Sequence, residues 1–197
     1  MMRKKLGLQA MIEVSIFAAL AMLLDLLPSI KIIPSISISL SMIPIFIVAF
    51  RWGFLAAIIS GFLWGILQVT LGDAWILTPT QAFIEYFIAF TFVGFSGLFA
   101  RLVKENLKEN LKGRALFWVV IAIFVGSIAR YFWHFVAGVI FFKSYAIEAG
   151  KSPFIFSLIT NGTTFFFTAL GCAIVLVLLI GRAPQLITSA NRNEGNK

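Results

Sequence analysis

The sequence predicts an all-α, polytopic membrane protein with six transmembrane helices and cytoplasmic N- and C-termini. Composition is the first reason. Of 197 residues, 60% are hydrophobic and 12% charged, more apolar surface than one soluble core of this size could hide. The second reason is segmentation: the apolar residues fall into runs suited to crossing a hydrocarbon layer of roughly 30 Å. The third is the placement of positive charge, which gathers between alternate runs as topology signals do. The formal charge of +8 therefore does not mark a nucleic-acid partner, because the basic residues form no continuous face or stripe.

The first span, about 8–27, follows the basic stretch Met1–Lys5 and resembles a signal peptide in outline. No small-residue cleavage site closes it, so it is read as a retained helix. Pro28 and Pro34 bracket the next loop. Across 35–41 serine alternates with isoleucine, and this segment is expected to enter the membrane as irregular backbone lining a cavity. It leads into a short second span, 38–50. A third span, 53–71, ends at the Gly72-Asp73 turn, and the fourth covers 78–100.

The segment RLVKENLKENLKGR, 101–114, carries glutamates and lysines at helical spacing and reads as a solvated cytoplasmic connector, with a docking surface as the alternative. Spans five and six cover 115–142 and 153–180, separated by a turn at Gly150–Pro153 and followed by a polar tail, 188–197. The whole chain, 1–197, is one membrane domain.

With the N-terminus inside, Arg3, Lys4, Lys5, Arg51, Arg101, Lys104, Lys108, Lys112, Arg114, Arg182, Arg192 and Lys197 are cytoplasmic, 12 of the 16 Lys and Arg. The outer loops 28–37, 72–77 and 143–152 hold only Lys31, Lys143 and Lys151, and Arg130 lies in the fifth span. That asymmetry sets the orientation.

Glu85 is the candidate functional residue with the clearest physical reason. A carboxylate at that depth costs roughly 2.5–3.5 kcal/mol even on the milder insertion scales, so it needs a partner or a function. Tyr86 adjoins it. His134, the only histidine, shares a helix face with Gly138 and Phe142 at i, i+4 and i+8. Asn161 lies about two turns into the sixth span and Trp64 in the outer half of the third. Their common depth suits a pocket for a small, flat cation: a carboxylate for the charge, aromatic faces for stacking, Asn161 for a heterocycle's edge, and Gly138 for close approach to backbone.

The same residues have structural readings. Glu85 pairs with Arg130, His134 joins a buried hydrogen-bond network, and Trp64, Trp75 and Trp133 pack or form an interfacial belt. Asn161-Gly162 is an interhelical contact, too deep for its N-G-T sequon to be glycosylated. Cys172, the only cysteine, excludes an intrachain disulfide and reads as buried packing.

No catalytic set is expected. The chain has one histidine, no HExxH, no GxSxG and no paired aspartates at ligand spacing, so no metal and no cofactor are expected. With no GxxxxGK[ST], it does not hydrolyse ATP itself.

Three segments carry a resemblance: SISLSMIPIFIVAFRWGFLAAIISGFLWG (37–65), GDAWILTPTQAFIEYFIAFTFVGFSGLFA (72–100) and ARYFWHFVAGVIFFKSYA (129–146), followed by Ser157 to Gly162. From about Glu13 to Ile180 the chain resembles the thiamine-specific substrate-binding subunit (S component) of energy-coupling-factor (ECF) vitamin transporters. The resemblance implies a multi-pass protein of the plasma membrane of a Gram-positive bacterium, with six helices, an outward-facing thiamine pocket and no ATPase of its own. It implies ligand-binding roles for Glu85, Tyr86, Trp64, His134, Gly138 and Asn161, with Trp75 at an aromatic position of the family.

Departures from the family pattern lie at Phe142, where a tryptophan is expected, at Phe156, where a tyrosine is expected, and in loop 28–37, which lacks an aromatic and has Pro34 at the lid position. Losing one buried hydrogen bond costs roughly 0.5–1.5 kcal/mol, which leaves thiamine the first choice. The implied partners are a transmembrane coupling subunit (T component), two ABC-type ATPases and membrane lipid. The first helix docks through small residues, here Ser15 and Ala19, four apart. Alternatives are an S component for a flavin or pyridine-type vitamin and a non-transport membrane assembly protein.

Overall fold

A computed structural model describes residues 6–26, 30–33 and 36–188. The basic start Met1–Lys5, the loop prolines Pro28 and Pro34, Ser35 and the tail 189–197 lie outside the described residues. Helix α1 (Leu8–Leu26) is followed by strands β1 (Ile30–Ile33) and β2 (Ile36–Ile38), then α2 (Met42–Trp52) and α3 (Phe54–Thr70). Next come α4 (Pro79–Lys108), α5 (Lys112–Phe141), the short α6 (Lys143–Glu148), α7 (Pro153–Arg182) and the terminal turn α8 (Gln185–Thr188). Among the described residues, α1, α4, α5 and α7 are long and apolar enough to cross a membrane, while α2 and α3 have 11 and 17 residues.

Local chemistry sets where the helices start. Thr78 and Ser152 cap α4 and α7, their hydroxyls accepting the N–H groups of Gln81 and Ile155 at 3.1 and 3.3 Å, with Pro79 and Pro153 in the first turns. Both α5 and α7 have 30 residues, about 45 Å at 1.5 Å per residue, so they tilt in or project beyond a hydrocarbon layer. They pack against each other along the bundle.

Burial separates two kinds of helix. α2 is apolar on nearly every side, and Ile45, Phe46, Val48, Ala49 and Phe50 are all buried, so it forms the centre of the core. Around it, α1, α4, α5 and α7 turn large apolar side chains outward, including Ile12, Phe83, Ile128, Phe132, Ile174 and Leu178. A soluble surface does not carry such a band, whereas lipid accepts it. Cys172 is buried, in keeping with its packing role.

One expectation is corrected. Irregular backbone was expected over 35–41, but Ile36–Ile38 pairs antiparallel with Ile30–Ile33, Ile30 opposite Ile38 and Lys31 opposite Ser37. The fold is therefore helical with one small hairpin. Alternation of isoleucine with serine is a period of two, which suits a strand, and pairing satisfies the backbone where water is scarce. Over the 101–114 connector, α4 stays helical to Lys108, and Asn110, at φ 59°, turns the chain into α5. Within it Arg101 and Glu105 pair at 2.6 Å on the exposed surface, where solvent and salt screen the attraction.

The opposite end of the bundle from the hairpin is closed by Glu13 of α1. It pairs with Arg51 at 2.5 Å and accepts the Trp52 indole N–H at 2.7 Å, while Arg51 Nη1 donates to the Leu186 carbonyl at 2.9 Å. One carboxylate thus ties α1 to the end of α2 and, through Arg51, to α8.

Helix α4 is not uniform. It widens to i→i+5 hydrogen bonding over Phe83–Ile88, returns to α over Ala89–Phe92, and tightens to 3₁₀ over Val93–Phe99. Wide turns of this kind frequently mark functional sites. Here the wide turn holds Glu85 and Tyr86, and α3 lies directly against it: a Cβ on Gly65 would collide with the Tyr86 carbonyl oxygen. Gly65→Ala is accordingly expected to lower stability by about 1–3 kcal/mol, read as a fall in the thermal midpoint in detergent. Gly113→Ala, where nothing lies within 4 Å, serves as the control and is expected to leave the midpoint unchanged.

Candidate ligand-binding site

A cavity of about 430 Å³ opens at the hairpin end of the bundle, lined by Trp75, Glu85, His134, Gly138, Phe142, Tyr145, Phe156, Thr160 and Asn161. Five segments build it. The wide turn of α4 supplies Glu85, α5 supplies His134, Gly138 and Phe142 from one face, and α7 supplies Phe156, Thr160 and Asn161. The 72–77 segment and α6 add Trp75 and Tyr145 at the mouth.

Glu85 and His134 are largely withdrawn from solvent, their side chains 13% and 15% exposed, with Oε1 of Glu85 3.5 Å from Nδ1 of His134. On the other side of the ring, Arg130 Nε donates to His134 Nε2 at 3.3 Å. A guanidinium can only donate, so Nε2 accepts and the neutral ring carries its proton on Nδ1, facing the carboxylate. The guanidinium itself lies on aromatic faces, 4.2 Å from the centre of Phe90 and 4.6 Å from that of Trp64. The imidazole therefore stands between Arg130 and Glu85, and the direct ion pair weighed from sequence is replaced by a relay.

Asn161 is oriented by its neighbours. Its Nδ2 lies 3.4 Å from the His134 carbonyl, 3.2 Å from the Ser157 carbonyl and 3.1 Å from Ser157 Oγ, which donates to the Phe135 carbonyl at 2.8 Å. Carbonyls only accept, so the amide NH₂ must face the helices and Oδ1 is left as the acceptor. Gly138 makes this possible. A Cβ there would strike Ser157 Oγ and crowd Asn161 Nδ2 at 3.2 Å. The asparagine reading from sequence, both donor and acceptor, narrows to an acceptor.

Aromatic rings form the rest of the wall. Trp75 stands edge-on to Phe142 and Tyr145, with centroids 6.2 and 5.7 Å apart, and Phe142 lies 5.8 Å from Tyr145. Tyr86, predicted as a site residue, lies behind this wall: its hydroxyl accepts the Trp75 backbone N–H at 2.7 Å. Trp64 is also set back. It is fully buried, and its indole N–H donates to Asp25 at 3.0 Å. Trp133 packs edge-on against Phe92, away from the cavity.

Sequence reasoning passed over Tyr145, Thr160 and Asp25. Thr160 is one turn from Phe156 and Tyr145 three residues from Phe142, so helical spacing from residues already chosen could have found both. Asp25 binds Ser39, Ser41, Trp64 and Gln68, and no local pattern brings those four together.

The sequence profile of the thiamine transporter protein family (Thia_YuaJ) matches residues 11–188. The chain belongs to that family. It is 37% identical over 190 residues to thiamine transporter ThiT of Bacillus subtilis, covering 95% of this chain and 98% of that protein. It is 35% identical over 191 residues to thiamine transporter ThiT of Lacticaseibacillus paracasei, covering 95% and 94%. A solved structure of ThiT from Listeria monocytogenes superposes with a TM-score of 0.87 at 43% identity, covering 91% of this chain and 97% of that one. A multi-pass helical membrane protein with a non-enzymatic transport role agrees with these relatives and with the apolar outer band of the bundle.

As a family member with one histidine, the protein offers a direct check of the relay. Imidazole ¹⁵N resonances are expected to report the Nδ1–H tautomer in the wild type. A wild-type spectrum of the Nε2–H form would contradict the assigned bonding.

Proposed function

We propose that this protein is the thiamine-binding, substrate-capture subunit of an ECF-type vitamin importer, and that Glu85 meets the ligand's positive charge. One observation carries the reading: the carboxylate borders the cavity, and the nearby guanidinium is turned onto Phe90 and Trp64 instead of pairing with it. A buried carboxylate without a cation attracts one strongly in a low-dielectric setting.

The remaining groups suit the rest of thiamine. Aminopyrimidine and thiazolium rings are flat and one is cationic, which matches walls of Trp75, Phe142, Tyr145 and Phe156. The exocyclic amine is a donor, and Asn161 Oδ1 and Glu85 are acceptors. Gly138 leaves room for the ligand at the helix surface. Trp64 and Tyr86 act from behind the cavity, holding Arg130 and Trp75 in place. An assembly protein would instead tie Glu85 to Arg130, and that pair is interrupted by His134.

Binding at one face does not move a solute across a membrane, and the chain contains no nucleotide-binding loop. Transport is therefore driven by partners: a transmembrane coupling subunit and two ABC-type ATPases. In this reading the cavity end is extracytoplasmic, both termini are cytoplasmic, and all six helices cross the bilayer as one membrane domain. Ser15 and Ala19, both exposed on α1, face the coupling subunit.

Thiamine is expected to quench the tryptophan fluorescence of the purified protein saturably, and Glu85→Gln to weaken binding at least about tenfold, the loss of one charge-assisted bond. Riboflavin and pyridine vitamins are expected not to compete. Wild-type protein that does not bind thiamine, or Glu85→Gln with unchanged affinity, overturns the reading.

A further inference from the structure

Gln81 lies one helical turn before Glu85, and its side chain is completely buried. All of its hydrogen-bonding groups are committed. Oε1 accepts the Leu77 N–H at 3.0 Å, and Nε2 donates to the Trp75 carbonyl at 3.0 Å and to the Glu85 carboxylate. Amide orientation is fixed, because a backbone N–H needs the oxygen and a carbonyl and a carboxylate both need the nitrogen. Through its own N–H it also takes the Thr78 cap at 3.1 Å.

The segment held this way, residues 73–77, has no regular structure, yet it places Trp75 at the cavity mouth. Its backbone polar groups cannot find partners in a helix or sheet ladder, so side chains must supply them. Gln81 binds Leu77 and Trp75, and Tyr86 binds Trp75 from the next turn of the same helix. Trp75 itself is 57% exposed, so packing alone does not fix it. The ring at the mouth is located by the helix that carries the carboxylate.

We infer that Gln81 is a positioning residue that couples Glu85 to Trp75, so that a cation held by the carboxylate also steadies the aromatic rim over the bound ligand. The inference deepens the thiamine-binding reading and rests on it. Gln81 touches no ligand: it does not line the cavity. It acts through the two NH₂ hydrogens of one amide, one for the charged group and one for the rim. With a cation at Glu85 the carboxylate is held in place, the amide with it, and the Trp75 and Leu77 backbone bonds persist longer.

A double-mutant cycle on thiamine affinity tests this, measured by calorimetry so that loss of Trp75 does not remove the signal. In the wild-type background, Glu85→Gln and Trp75→Ala together are expected to depart from the product of their separate effects by about fivefold or more. In a Gln81→Leu background, the two changes are expected to combine independently, to within about twofold. Gln81→Met is measured beside it. That variant keeps the length and nearly the volume of the side chain but loses both donated bonds, so it is expected to uncouple the pair as well, and it decides the question where Gln81→Leu does not fold. A residue that merely supports the fold would lower the thermal midpoint and leave the coupling intact. Coupling that survives in either folded Gln81 variant overturns the inference alone, while failure of thiamine to bind the wild-type protein overturns the inference and the functional reading together.

Discussion

Arg130 decides the character of the site by where it does not go. A guanidinium in an apolar bundle seeks a carboxylate, and Glu85 is on the neighbouring helix. Instead its plane lies on Phe90 and Trp64, with His134 between it and Glu85. Cation–π contacts contribute about 2 kcal/mol or more when desolvated, enough to compete with an ion pair that must itself be stripped of water. Trp64 is held in turn by its bond to Asp25, which ties the cation's platform to α1. Remove that arrangement and Glu85 becomes half of a structural ion pair. With it, the carboxylate still faces a cavity.

The helical, apolar architecture was legible in the sequence because bilayer thickness acts over whole segments. Four helices are long and apolar enough to cross a membrane among the described residues, and proline and hydroxyl residues at 78–79 and 152–153 began two of them. The hairpin is less legible: serine–isoleucine alternation has the period of two of a strand, but the same segment also reads as irregular backbone entering the membrane to line a cavity. At the site, residues on one helix face were readable from spacing: His134, Gly138 and Phe142 do share a wall. Depth alone does not say which side of a helix meets the cavity, so Trp64 and Tyr86, at the right level, stand behind the lining. Gln81, Thr160 and Tyr145 carry no unusual chemistry for their surroundings, and composition alone does not single them out.

The irregular course of α4 joins these levels. Widening over Phe83–Ile88 changes the angular spacing between Gln81, Glu85 and Tyr86, so that one helix points a carboxylate at the cavity and two side chains at the 72–77 segment. A regular helix would place Glu85 and Tyr86 about 100° apart, with no freedom to adjust. Keeping such a turn requires close support, and glycine on α3 lets backbone meet backbone there. The wide turn of one helix is thus held by tight packing against another.

Charge balance then limits what the cavity accepts. At the hairpin end, Asp25 is surrounded by the hydroxyls of Ser39 and Ser41, the Trp64 indole and the Gln68 amide, all neutral. Glu85 is met by the Gln81 amide and the neutral His134 ring. Arg130 sits between these groups, in an ion pair with neither carboxylate among the described residues. Hydrogen bonds from neutral donors stabilise an anion without cancelling it, and Asp73, within electrostatic range of Asp25 and Tyr86, adds a further acidic group at this end. Under the proposed function the acidic groups around the open space favour a cationic solute and oppose an anionic one, and a flat cation also covers the aromatic walls.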